Sequence, residues 1–115
     1  MTDQPETPPP PLLSAFADDP DMIELVELFV RELPDRIAAI HRALESRDLQ
    51  ALATLAHQLK GAAGGYGYGT ITASAQMVED LTKAETEAEE QAASVHDAVD
   101  HLVKLMNRAA SVPQA

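Results

Sequence analysis

His57 and Lys60 stand one helical turn apart in the run Ala56-His57-Gln58-Leu59-Lys60-Gly61-Ala62-Ala63-Gly64-Gly65-Tyr66-Gly67. Residues at i and i+3 share a helix face, so the two side chains are neighbours if this run is helical. A neutral imidazole nitrogen is a good nucleophile near pH 7, because its reference pKa is about 6.5. An ammonium one turn away can reach an anion carried on that nitrogen. Helical side chains lean toward the N-terminus, so Gly61 removes the group that would otherwise lie over the imidazole. An exposed nucleophile, a cation and a cleared surface together suit covalent capture of an anionic group such as phosphoryl.

The glycines need a reason, since each costs a helix interior roughly 1 kcal/mol relative to Ala. The apolar spacing of Leu52, Leu55, Ala56, Leu59, Ala62, Ala63 and Tyr66 predicts a helix over 49–65 with that face buried. His57 then projects outward, with Ala53 and Thr54 behind it and Lys60, Gly61 and Gly64 ahead. Gly67-Tyr68-Gly69 ends the element. The glycines at 65, 67 and 69 exceed what access to the imidazole requires.

The remaining chain supplies a support. Residues 1–11, MTDQPETPPPP, cannot form a helix and read as a disordered or polyproline tail. A PxxP ligand is a formal possibility there and a plain tail the simpler reading. Leu12, Leu13 and Phe16 predict a short capping helix over one end of the core. Asp18-Asp19-Pro20 resembles a helix start. A first long helix is expected from Asp21 to Ser46, with Ile23, Val26, Phe29, Val30, Leu33, Ile37, Ile40 and Leu44 as its stripe. The stripe stays in phase through Pro34, which predicts a kink rather than a break. Leu28 falls off the stripe, either under the N-terminal segment or exposed. Asp48 is the expected N-cap of the second helix and Thr70 that of a third, 71–84, carrying Ile71, Ser74, Ala75, Val78 and Leu81 inward. Thr86-Glu87-Ala88-Glu89 matches a capping box for a fourth helix, 87–110, with Ala88, Ala92, Val95, Val99, Leu102 and Met106 inside. Short loops between four amphipathic helices predict an all-α, antiparallel up-down-up-down four-helix bundle over 12–110, followed by a tail over 111–115.

Composition narrows the function. A net charge of −11 argues against nucleic acid and against anionic membrane surfaces. There is no Cys, which removes disulfide and thiolate chemistry and fits a reducing cytoplasm. No apolar run approaches the roughly 20 residues of a membrane span, and no signal peptide opens the chain. The expectation is a cytoplasmic monomer.

The run from His57 to Gly67 resembles the signature of histidine-containing phosphotransfer (HPt) domains: His-x-Leu-Lys-Gly, small residues, then an apolar residue and Gly. The run from Asp18-Asp19-Pro20 to Leu33-Pro34-Asp35-Arg36, the turn Ser46-Arg47-Asp48 and the helical layout are similar too, so the likeness covers roughly residues 12–107. It implies a phosphorelay intermediate rather than an enzyme with its own ATP site. His57 would take a phosphoryl group from a histidine kinase or a receiver phospho-aspartate and pass it to the Asp of a response-regulator receiver. Lys60 would stabilise the phosphoryl group and Gly61 would give access. The receiver would bring Mg²⁺, so no cofactor or metal is implied on this chain. Docking would use Ala53, Thr54, Gln58, Gly61, Gly64 and Tyr68. Many family members carry Asn and a Leu or Ile where this chain has Gly65 and Tyr66, a departure that bears on where the second helix ends.

Plainer readings stand beside these. His41, His96 and His101 read as surface histidines. A nucleotide loop fails, because Lys60 precedes Gly61 and no GxGxxG follows a strand. His96, Asp97, Asp100 and His101 offer two i,i+4 pairs for a metal, but Glu-x-x-His is absent. The acidic patches at Asp18–Asp21 and Glu85–Glu90 serve solubility and helix starts. The rival from another class is a helical adaptor with a degenerate site.

Overall fold

The computed structural model describes residues 10–84 and 88–111. Four helices form, α1 (Ile23–Glu45), α2 (Leu49–Gly65), α3 (Gly69–Lys83) and α4 (Ala88–Ala110), and no strand occurs among the described residues. Helix α1 packs on α2 and α4, and α3 packs on the same two, so the four close a ring around one core. The α2–α3 contact is the most extensive.

The apolar stripes behave as their periods require. Val26, Phe29, Val30, Leu33 and Ile40 of α1 are buried against Leu52, Ala56, Leu59 and Ala63 of α2 and Val95, Val99, Leu102 and Met106 of α4 within one cluster. Helix α1 runs unbroken through Pro34, which sits on the exposed side. Leu28 is 52% exposed, so the N-terminal segment does not cover it. On α4, Ala92 was expected inside and is exposed. Thr86 and Glu87, the first half of the expected capping box at 86–89 and the fourth helix's predicted start, lie outside the described residues.

Helix ends account for most departures from expectation. The α1 start is a turn: the Asp19 carbonyl accepts from the Met22 and Ile23 amides, and its carboxylate accepts from the Asp21 amide. The helix proper therefore begins at Ile23, two residues after the expected Asp21. At the other end, the Asp48 amide donates to the Ala43 carbonyl at 3.0 Å and the Arg47 amide to that of Leu44 at 3.1 Å. This is a Schellman closure, with Arg47 in the left-handed position at φ 55°. Asp48 then caps α2 as expected, its Oδ1 accepting from the Ala51 amide at 3.0 Å.

Helix α2 closes in the same way. The Tyr68 amide donates to the Ala63 carbonyl at 2.9 Å, and Gly67 takes the left-handed position at φ 84°. A Cβ on Gly67 would lie 2.6 Å from Ser14 Oγ and 2.9 Å from the Ala15 amide nitrogen. That glycine is thus required twice, by its dihedral and by the segment that passes over it. Helix α3 begins at Gly69, ahead of the expected Ile71. Thr70 consequently lies in the first turn and does not cap; Tyr68 takes the N-cap position without a side-chain bond.

The expected N-terminal capping helix is not formed. Residues 15–18 and 20–22 make successive turns, with i→i+3 bonds from Ala17 to Ser14 and from Asp19 to Phe16. The segment is held by its ends rather than by a helical ladder. The Leu12 amide donates to the Arg108 carbonyl, Arg108 Nε donates to the Pro10 carbonyl, Ser14 Oγ donates to the Tyr66 carbonyl, and the Ala15 amide donates to the Gly67 carbonyl. Leu12 and Phe16 do pack on the core, while Leu13 is 60% exposed.

Candidate functional site

Helix α2 buries Ala56 and Leu59 and turns His57 outward, leaving the imidazole 66% exposed. The expected face around it is present in part. Thr54, Gln58 and Gly61 are exposed and Ala53 is half-buried. An ideal Cβ on Gly61 meets nothing within 4 Å, so the space beside His57 is open. Gly64 is exposed but leans on α3, where a Cβ would sit 3.4 Å from Thr72 Oγ1.

Tyr68 does not belong to this surface. It is 3% exposed, with its ring centroid 5.5 Å from that of Phe29, and burial pushes its phenol pKa up. It is the apolar residue that follows the left-handed glycine in a Schellman closure, and that role carries it into the core. A partner-contacting Tyr68 is therefore ruled out.

Lys60 is not free beside the imidazole. Its ammonium donates to Glu79 Oε1 at 2.8 Å and to Gln76 Oε1 at 2.9 Å, both on α3. Glu79 is the residue the sequence reading missed. It is buried at 5% exposure, and its Oε2 lies 3.1 Å from His57 Nδ1 and 2.9 Å from Lys83 Nζ. One carboxylate thus receives two ammonium groups and the imidazole. The hydrogen bonds from Lys60 and then Lys83 lower its pKa from 4.5 to about 2, against the desolvation that raises it. An ionised carboxylate only accepts, so His57 Nδ1 carries a hydrogen, and it is the neutral tautomer of this arrangement that has its lone pair on Nε2.

The network reaches further along α3. Gln76 Nε2 donates to Asp80 Oδ1 at 2.7 Å, which orients the amide oxygen toward Lys60. Thr72 Oγ1 donates to the Lys60 carbonyl at 3.1 Å and ties the two helices beside the site. A signal for Glu79 was in the sequence. Ile71, Ala75, Val78 and Thr82 form the buried row of α3, and Glu79 lies four residues after Ala75 and beside Val78. A carboxylate on such a flank, with Lys83 at i+4, has to find cations. Leu81 does pack on the core as expected, and a stripe read from apolar and small residues passed over the carboxylate beside it.

The open surface extends along α2 toward its start. A shallow hollow of ≈ 420 Å³ includes Gln50, Ala53, Thr54, Gln58 and Lys83 around His57. A second hollow shares Gln50, Thr54 and Gln58 and runs on to Asp48 and Leu55. On α4, the carboxylate of Asp100 pairs with Lys104 at 3.1 Å, and no group of three or more His, Cys, Asp or Glu that could hold a metal occurs among the described residues. Among those residues no helix is long and apolar enough to cross a membrane.

In comparison with known proteins, a family model described as Hpt domain matches residues 24–111. No curated protein and no solved structure matches the chain significantly.

Proposed function

The chain belongs to the Hpt domain family, whose members are phosphocarrier modules of two-component signalling, and on that premise we propose that His57 is its phosphoryl-carrying residue. The observation that carries the reading is the pairing of His57 Nδ1 with the buried, ionised Glu79, which leaves Nε2 as the nucleophile on an exposed face. Nε2 attacks the phosphorus of a receiver phospho-aspartate. The N–P bond forms, the acyl phosphate P–O bond breaks, and its electron pair returns to the aspartate carboxylate. The Nδ1 hydrogen stays in place, and the positive charge that develops on the ring lies against Glu79. In the return direction the same hydrogen makes the imidazole a better leaving group.

Two cations serve the transferred group. Lys60 and Lys83 both hold Glu79 at rest, and each can turn an ammonium toward phosphoryl oxygens on Nε2. Lys83 is 64% exposed and the more mobile of the two by its surroundings; Lys60 is 25% exposed. In this reading Mg²⁺ and the acidic pocket come from the receiver. Docking uses Ala53, Thr54, Gln58, Gly61 and the rim of Gly64, with Gln50 added and Tyr68 removed. The protein acts as a cytoplasmic monomer. An antiparallel up-down-up-down course suits the site and is supported by the α2–α3 pairs Gly64–Thr72, Lys60–Gln76 and His57–Glu79, whose numbers fall along one helix as they rise along the other.

The test is transfer of radiolabel from phosphorylated receivers, or from a kinase with ATP and receiver. An acid-labile, base-stable label on wild-type protein that is lost in His57→Gln is the expected result. Label that persists in His57→Gln would move the site, and no label from a panel of receivers would favour the adaptor.

A further inference from the structure

Helices α1 and α2 close their own C-termini with a left-handed residue. Helix α3 does not. Its C-cap, Ala84, leaves in an extended conformation at ψ 136°, and its amide reaches the Leu81 carbonyl only at a long 3.4 Å. The last carbonyls of a helix need partners from somewhere. Here α4 supplies a further donor. Gln91 Nε2 lies 3.1 Å from the Leu81 carbonyl, 3.1 Å from that of Thr82 and 3.0 Å from that of Ala84. Two amide hydrogens serve three acceptors from a partly buried side chain in the first turns of α4.

The turn so held carries the site. Lys83 is the last residue of α3, and the carbonyls on either side of it are both bound by Gln91. Thr82 Oγ1 donates to the Glu79 carbonyl at 2.7 Å, which links the same turn to the residue that grips His57. We propose that Gln91 is a positioning residue for phosphoryl transfer, acting through the last turn of α3 to hold Lys83 beside Glu79 and His57. The proposal rests on the phosphotransfer reading of His57.

The experiment uses the full chain and phosphoramidate, a small donor that needs no partner. Its N–P bond breaks, nitrogen leaves as ammonia, and phosphoryl passes to His57 Nε2, followed by ³¹P NMR. Gln91→Ala and Lys83→Met should each slow labelling roughly three- to tenfold, the scale of one partly exposed charged contact. Gln91→Met keeps the length of the side chain and lacks the donor, so it should match Gln91→Ala if packing is not the cause. The double variant Gln91→Ala/Lys83→Met should be no slower than Lys83→Met alone, because both act on one interaction. Amide exchange at Leu81–Ala84 should rise in Gln91→Ala while α2 stays protected. A labelled wild type with a normal Gln91→Ala rate, effects that multiply in the double variant, or unchanged exchange at 81–84 would each overturn the proposal alone. A wild type that takes no phosphoryl at His57 would overturn the phosphotransfer reading, and the proposal with it.

Discussion

Gly61→Ala separates what this glycine does for the helix from what it does for the partner. Gly61 lies inside α2, is exposed, and has no atom within 4 Å of an added Cβ, the His57 side chain included. The methyl therefore strains nothing in the free protein, and replacing Gly by Ala in a helix interior gains about 1 kcal/mol. For a domain of this size that raises the melting temperature by roughly 4–8 °C. The same methyl projects toward the N-terminus of α2, over the approach to His57. A receiver that must bring its aspartate in line with Nε2 is displaced by it, and a misplacement on the order of 1 Å costs up to about a hundredfold in rate. The assay pairs thermal unfolding with two labelling rates, one from a phosphorylated receiver and one from phosphoramidate. Receiver transfer should fall far more than labelling by the small donor, in a protein that melts higher. A lower melting temperature would refute the open space beside Gly61. A receiver rate equal to wild type would refute access as its purpose.

The two Schellman closures make an opposed pair of predictions. Gly67→Ala places a Cβ at a left-handed position costing about 1–2 kcal/mol, and against the Ala15 amide nitrogen at 2.9 Å; melting should drop by roughly 4–16 °C, read by circular dichroism. Arg47→Gly relieves the same dihedral at the end of α1, and after the flexibility of Gly is set against it the gain is about 0.5–1 kcal/mol, seen as a higher denaturant midpoint with unchanged slope. Glu79 supplies a pH dependence. Its folded pKa of about 2 lies below its ordinary 4.5, so its contribution is complete above about pH 4.5 and is lost as pH falls toward 2. The melting-temperature gap between wild type and Glu79→Gln should accordingly close across that window; a gap that stays constant from pH 7 to pH 2 would refute the ionised, doubly paired carboxylate.

The α2 boundaries, Leu49 and Gly65, were legible because a capping Asp48 and a glycine-bearing end bracket a clean 3.6-residue stripe. The His57 face was legible for the same reason: one helix, read alone, tells which residues oppose its stripe. What was not legible depends on a second element. Gly67 looked like surplus until the N-terminal segment was seen to cross it at Ser14 and Ala15. Tyr68 was expected on the docking face, but the left-handed turn at Gly67 carries it into the core. The capping helix at Leu12–Phe16 failed because Leu12 and Phe16 are satisfied by docking on the core, with hydrogen bonds to Tyr66, Gly67 and Arg108 replacing a ladder.

Glu79 shows why the site had to be shared between two helices. In the proposed reading the imidazole of His57 is exposed to meet a partner, and an exposed imidazole is free to rotate and to exchange tautomers. A fixed acceptor on its own helix would have to stand at i±3 or i±4, where Thr54, Ala53, Lys60 and Gly61 are small or cationic. The acceptor therefore comes from α3, and a carboxylate buried there has to be charge-balanced. Lys60 does this from α2 and Lys83 from α3, so the acceptor is held from both sides of the helix pair. The close approach that lets these side chains meet comes from the small residues Ala56, Ala63, Ser74 and Ala75, all buried, and from Gly67, which sets the register of the hairpin. In the proposed reading the glycines and alanines of this chain are thus not only clearance around His57. They bring α3 near enough for one carboxylate to fix a hydrogen on His57 Nδ1, which on that reading leaves Nε2 to react.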